Sequence, residues 1–191
     1  MLKPLVVGLL AGVLLLTGCG KEESGSGGST SSGSEPKDVF DSAKAALRNK
    51  DGKAMWNLMS KKTKESLAVK MKPMMESVQG RPDELDEMSK DVGVPADRLK
   101  TMTATEFVEV VMVHKFTKMA EDKTEQEEME KSEWISAEVK GDLAYCKTKK
   151  HDGSDEWMVL TKEDGAWKMD MDATEAYKKE LRGKKSEGSG K

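Results

Sequence analysis

Few side chains in this sequence have chemistry to offer, and their spacing says what kind. There are two histidines, two cysteines and fourteen methionines. His114 shares a helical face with Phe107, Val110 and Val111. A helical metal site asks for a second ligand one turn away, and none stands there, so the expectation is a core or pocket-edge imidazole. His151 sits in the turn-forming run "HDGSDE" and reads as a turn residue. Cys146 lies in a strand pattern as a small packing residue, with a reactive thiol as the alternative. Met71, Met74, Met75, Met169 and Met171 carry thioethers that suit Cu(I). Their spacing equally suits amphipathic packing, where methionine fills gaps. No Ser-His-Asp arrangement, CxxC pair, phosphate loop or Gly-rich dinucleotide fingerprint is present.

The second cysteine has a different setting. Cys19 closes an apolar run and precedes a tract of Gly, Ser, Thr and charge: "LLLTGCGKEESGSGGSTSSGSEP" from Leu14. Lys3 supplies a positive start and Leu5–Leu16 an apolar stretch, shorter than the about 18 residues a bilayer span needs. That is the outline of an export signal. Leu16-Thr17-Gly18-Cys19 resembles the lipobox of bacterial lipoproteins. The resemblance implies cleavage before Cys19, a diacylglycerol thioether on its sulfur and acylation of the new amine. Two or more acyl chains anchor stably where one holds marginally. The chain is then expected to be exported and lipid-anchored to the cell membrane or outer membrane, facing periplasm or cell exterior. In that family an Asp after the cysteine often signals inner-membrane retention; Gly20 stands there instead and favours the outer membrane where the host has one. Residues 1–18 form the signal peptide, and 19–35 the lipidated cysteine and flexible linker. A Gly/Ser coil of this length reaches roughly 23 Å, which floats the domain just off the lipid surface.

The remainder, residues 36–182, is long enough for one domain with a real core. The run "GKKSEGSGK" at 183–191 is expected to be a disordered tail. Formal charge is −3, with both signs interspersed. No basic stripe exists, so nucleic acid is not an expected partner. With Cys19 modified, Cys146 has no mate, which excludes a disulfide framework.

The first half of the domain has helical period. Pro36 opens a helix with Val39, Phe40, Ala43 and Leu47 on one face, and "NKDG" stops it. A short helix carries Met55, Trp56, Leu58 and Met59. Ser60 caps a third with Leu67, Met71, Met74 and Val78, which Pro73 should kink or restart. A short helix around Leu85–Val92 follows. Thr103 and Glu106 make a capping box. The helix they open, about 104–119, is apolar around most of its girth and should be the most buried. The acidic stretch 121–133 reads as a solvated helix end or loop. The period then becomes two: Glu133–Val139, Asp142–Thr148, Glu156–Lys162 and Ala166–Asp172 read as strands joined by "KGD", "HDGSDE" and "KEDG". Connections this short make an antiparallel meander. The fold class is therefore α+β, with N-terminal helices packed on a four-stranded antiparallel curved sheet.

Two segments sharpen this. "AALRNKDGKAMWNLMS" (Ala45–Ser60) and "MVLTKEDGAWKMDM" (Met158–Met171), about 30 residues together, resemble the helix–turn–helix and closing hairpin of the nuclear transport factor two-like, or cystatin-like cone, superfamily in its small bacterial lipoprotein branch. Leu85–Met102 has no counterpart in that resemblance. Some enzymes of this superfamily use a pocket Asp as base and a Tyr as oxyanion donor; the nearest candidates here are Asp170 or Asp172 with Tyr145. The leading expectation is instead a non-enzymatic domain without a cofactor. It would bind a partner protein, an envelope component or a small apolar ligand. A cone-pocket enzyme of isomerase or hydrolase type and a copper-binding protein are the alternatives.

The expected binding surface is the sheet. Trp157-Met158-Val159-Leu160 is apolar on both parities, so both faces need cover. A three-residue Glu163-Asp164-Gly165 loop would put Trp157 and Val159 on the helix side. Met158 and Leu160 would then stand on the outer face beside Asp170, in a candidate binding surface that also includes Tyr145, available to a partner or a second copy. A two-residue Asp164-Gly165 turn would reverse this. A third possibility is that the long loop before the sheet, or the C-terminal helix around Ala173–Leu181, folds over the outer face.

Overall fold

The computed structural model describes residues 35–188. The expected signal peptide, Cys19 and nearly all of the linker lie outside the described residues. Glu35 and Asp38 close a reciprocal capping box around Pro36, and α1 runs Pro36–Arg48. Asp51 accepts from the Ala54 N–H at 2.8 Å and starts α2, Gly52–Leu58. Ser60 does the same for Thr63 at 3.0 Å and starts α3, Lys61–Gln79. Pro73 was expected to kink or restart α3; it does not restart it, since one helix continues through it. Its missing N–H frees a carbonyl at Val69, a residue 75% exposed, where water can serve that oxygen.

Helices α4 (Pro82–Val92) and α5 (Ala96–Thr101) follow, with Gly93 in the left-handed region at φ 70° ending α4. The Thr103–Glu106 capping box opens α6, Ala104–Glu121. The acidic stretch is a helix in its own right, α7 (Lys123–Lys131), because Asp122 caps it through Thr124 N at 2.8 Å. It has no buried residue. Strands β1 (Glu133–Lys140), β2 (Leu143–Lys149), β3 (Asp155–Glu163) and β4 (Ala166–Met169) form one antiparallel sheet in chain order. A last helix, α8, spans Met171–Gly188, so 183–188 is helix rather than the expected tail.

The α+β class stands, in a divided form. One buried cluster joins Val39, Trp56, Val108 and Met112 of the helices to Ala144, Cys146, Leu160 and Trp167 of the sheet. A second cluster, with Met75, Leu85, Leu99, Met102 and Phe107, contains no residue of the sheet. The Leu85–Met102 segment exists to close it. Helix α6 lies between the two, with Phe107 facing one and Val108, Met112 and Phe116 the other. That is why its girth is apolar.

The hairpin register corrects the expected outer face. Glu163 pairs with Ala166 across a two-residue Asp164-Gly165 turn, both residues at positive φ (51° and 84°). This twist matches the strands better than a longer loop would. Met158 and Leu160 therefore face the helices with Trp167, not the outside. Trp157 and Val159 take the other face, and α8 covers it. Tyr177 of α8 meets Trp157 edge-on at 5.4 Å and Tyr145 at 4.7 Å between ring centres. The Val159 N–H donates to Thr174 Oγ1 at 2.9 Å, and the Asp170 N–H donates to the Val159 carbonyl at 3.0 Å.

Candidate functional site

The four residues expected on one binding surface are separated by this register. Leu160 is fully buried between the sheet and the helices. Asp170 is buried too, and its Oδ1 accepts the Ala173 N–H at 2.8 Å as a cap for α8, with Lys62 Nζ at 3.7 Å. Tyr145 stacks under α8 on the opposite face from Leu160. Asp170 and Tyr145 thus both lie under α8, Asp170 as its cap and Tyr145 against Tyr177. Only Met158 reaches a cavity, and it does so from the helix side.

The other chemistry-bearing residues disperse in the same way. Burial pushes the Cys146 thiol up to about 12, so it is neutral at physiological pH and unreactive as a thiolate. Met75 is buried in the second cluster, whereas Met74 is 45% and Met171 44% exposed, so these thioethers do not converge. Among the described residues no group of three or more His, Cys, Asp or Glu is placed to hold a metal. His114 Nε2 stands 3.3 Å from Asp91 beside a groove between α2 and α6. The other charges of that groove, Lys53 and Glu109, pair with each other.

Met158 opens instead onto a cleft of about 310 Å³ between α1, α7 and the end of the sheet. Its floor is apolar: Phe40, Leu47, Met119, Met129 and Met158. Phe40 is fixed by a tilted contact with Trp134 at 5.8 Å. The wall is α7, held to α1 at one end: Lys44 Nζ donates to the carbonyls of Glu130 at 2.8 Å and Ser132 at 3.1 Å, and Arg48 pairs with Glu130 at 2.7 Å. The rim is charged. Lys150 meets Glu156 at 2.8 Å, and Lys178 of α8 meets the same carboxylate. Burial alone would raise the Glu156 pKa; hydrogen bonds from these two ammonium groups hold it below the usual carboxylate range. His151 Nδ1 stands 3.5 Å from Glu128 of α7. An apolar floor with a few polar groups at its mouth is the usual form of a small-ligand site, and the volume falls at the small end of that range.

Sequence reasoning missed α7, Met129 and Thr148, and gave His151 only a turn role. One signal was readable. Ala144, Cys146 and Thr148 share a strand parity, so a hydroxyl was bound to follow two small core residues on the helix-facing side. Compared with protein-family models, curated proteins and solved structures, the chain matches none of them.

Proposed function

We propose that this chain is an exported lipoprotein, held to a bacterial membrane through Cys19, whose domain binds a small apolar ligand in the cleft under α7 without turning it over. The observation that carries the binding reading is the cleft itself, an apolar floor of about 310 Å³ behind a charged rim. The likeness of Leu16-Thr17-Gly18-Cys19 to a lipobox supports the anchor. Among the described residues no helix is long and apolar enough to cross a membrane, so the anchor rests on that box.

Binding is tested with N-phenyl-1-naphthylamine, whose fluorescence rises in apolar surroundings, on the protein from Gly20 onward. Saturable enhancement at one site per chain is expected. Met129→Trp should fill the floor and weaken the probe by about tenfold or more, equivalent to about 1.4 kcal/mol. Unsaturable signal, or equal binding by the variant, removes the cleft from the function. The anchor is tested in a bacterium fed labelled palmitate. The full chain should take up label and shift on cleavage, and Cys19→Ser should do neither. Normal processing of the Ser variant defeats the lipoprotein reading.

A further inference from the structure

Four polar side chains are buried among the described residues: Ser60, Thr63, Thr148 and Asp170. Three are answered. Ser60 Oγ donates to Thr63 Oγ1 at 2.9 Å, Thr63 Oγ1 accepts the Met171 N–H at 3.0 Å, and Asp170 caps α8. Thr148 is 7% exposed, lines the cleft, and its hydroxyl finds no partner among the described residues. No side-chain nitrogen or oxygen among the described residues is both sealed from solvent and without a partner, so this hydroxyl opens onto the cleft, where a ligand can meet it. Its position explains what it is for. Residues 144, 146 and 148 share one face of the sheet, and Lys150 follows the end of β2. Ala144 and Cys146 are closed in the core, and Lys150 is on the rim. Thr148 is the step between, a single hydroxyl at the neck of an apolar cleft.

The rim carries a second unanswered feature. Lys150 is matched by Glu156 and His151 by Glu128. Lys149 and Glu125 also line the cleft, and neither side chain has an ion-pair partner among the described residues. They are of opposite sign. A ligand head with one charge would answer one and oppose the other; a head with both answers both. The volume sets the tail. About 310 Å³ lies at the small end of the range for small-ligand pockets, which suits one acyl chain on the apolar floor rather than two side by side.

We propose that the cleft binds a single-chain zwitterionic phospholipid, with its tail on the Met158–Phe40 floor, a glycerol oxygen on Thr148 and its two head charges at Lys149 and Glu125. This rests on the apolar-ligand reading above and names the class of that ligand.

The test is native mass spectrometry of the full chain, released from a non-lipid polyoxyethylene detergent. The added probes are lysophosphatidylethanolamine, lysophosphatidylglycerol and palmitate. One lysophosphatidylethanolamine per chain is expected, held at least about fivefold tighter than the two anionic probes, since each answered head charge contributes a charge-assisted bond. Glu125→Gln should erase that preference. Thr148→Val should weaken lysophosphatidylethanolamine by about fivefold while leaving the melting temperature of the unliganded protein little changed, because the hydroxyl makes no hydrogen bond within the protein and is open to water in the cleft. A scaffold threonine would lose stability and leave binding alone. Equal uptake of the three probes, or an unchanged preference in Glu125→Gln, overturns the zwitterion assignment and leaves the apolar-ligand reading intact. Uptake of the naphthylamine probe without any of the three amphiphiles overturns the lipid class. Failure of both kinds of probe overturns the apolar-ligand reading itself.

Discussion

Leu160→Lys is expected to abolish folding. The side chain has 0% exposure and stands where the sheet meets the helices, in one cluster with Trp56, Val108, Met112 and Trp167. Truncating such a leucine to alanine costs about 2–5 kcal/mol from lost transfer and the cavity left behind. Lysine adds an ammonium with no carboxylate to meet it, and an unpaired buried charge costs several kcal/mol more. The total rivals the about 5–15 kcal/mol that holds a domain together. Circular dichroism and urea titration of the variant should show no cooperative transition at 25 °C. Ile135→Lys serves as the control: the same charge goes onto β1 at a residue 46% exposed, and the urea midpoint should hardly move. A Leu160→Lys protein that melts cooperatively near the parent would return this residue to an outer face.

That prediction reverses what the sequence alone suggests, and the reason is one residue of register. Both readings of "KEDG" are stereochemically open in isolation. The side-chain period of a strand is two, so a one-residue slip exchanges every inward side chain for its neighbour. The choice was made by α8. Once Thr174 and Tyr177 cover Val159, Trp157 and Tyr145, the pair Met158–Leu160 is left for the helices. That helix starts after the sheet is complete, beyond the reach of any local pattern in the hairpin. Local signals served well where the cause was local. Pro36, the Thr103–Glu106 box and the first three strands lie where their residues place them, while the fourth strand, expected to run to Asp172, ends at Met169 and gives way to α8.

The candidate site was less legible for a related reason. Its floor draws on α1, α6, α7 and β3, and each contributes one or two apolar residues that look like core from within its own element. What separates cleft from core is a hydroxyl that has no protein partner and opens onto the cleft. Thr148 is an ordinary strand residue in sequence, and only the full set of neighbours reveals that its partner is missing. Methionines show the converse. Their number suggested a soft metal site, but Met75 closes the second cluster and Met158 lines the cleft.

Gly52→Ala is expected to be among the most damaging single-methyl additions in the protein. In sequence this glycine reads as the end of the "NKDG" stop. In the structure the stop is made by Asn49, by Lys50 at φ 55° and by Asp51 as cap, and Gly52 is already the first residue of α2. Its φ needs no glycine. Its surroundings do: a Cβ there would overlap the Val113 carbonyl oxygen and Thr117 Oγ1, and would stand 3.0 Å from the Thr117 N. Two of these three atoms are backbone of α6, and Thr117 Oγ1 is tied to the Val113 carbonyl by a 2.9 Å hydrogen bond. None can swing aside as a flexible side chain would. The methyl must push α2 off α6, and α2 carries Ala54, Met55, Trp56 and Leu58 into the main core. Overpacking costs about 1–3 kcal/mol where neighbours adjust, and more where they are backbone. At about 2–4 °C per kcal/mol for a chain of this size, a fall in melting temperature on the order of 10 °C is expected. Alanine is otherwise the better helix former, by about 1 kcal/mol. A Gly52→Ala protein that melts higher than the parent would mean that α2 and α6 do not approach this closely. Thr117→Ala combined with Gly52→Ala should recover part of the loss by removing one of the three opposing atoms, and the carbonyl of Val113 accounts for the part it cannot recover.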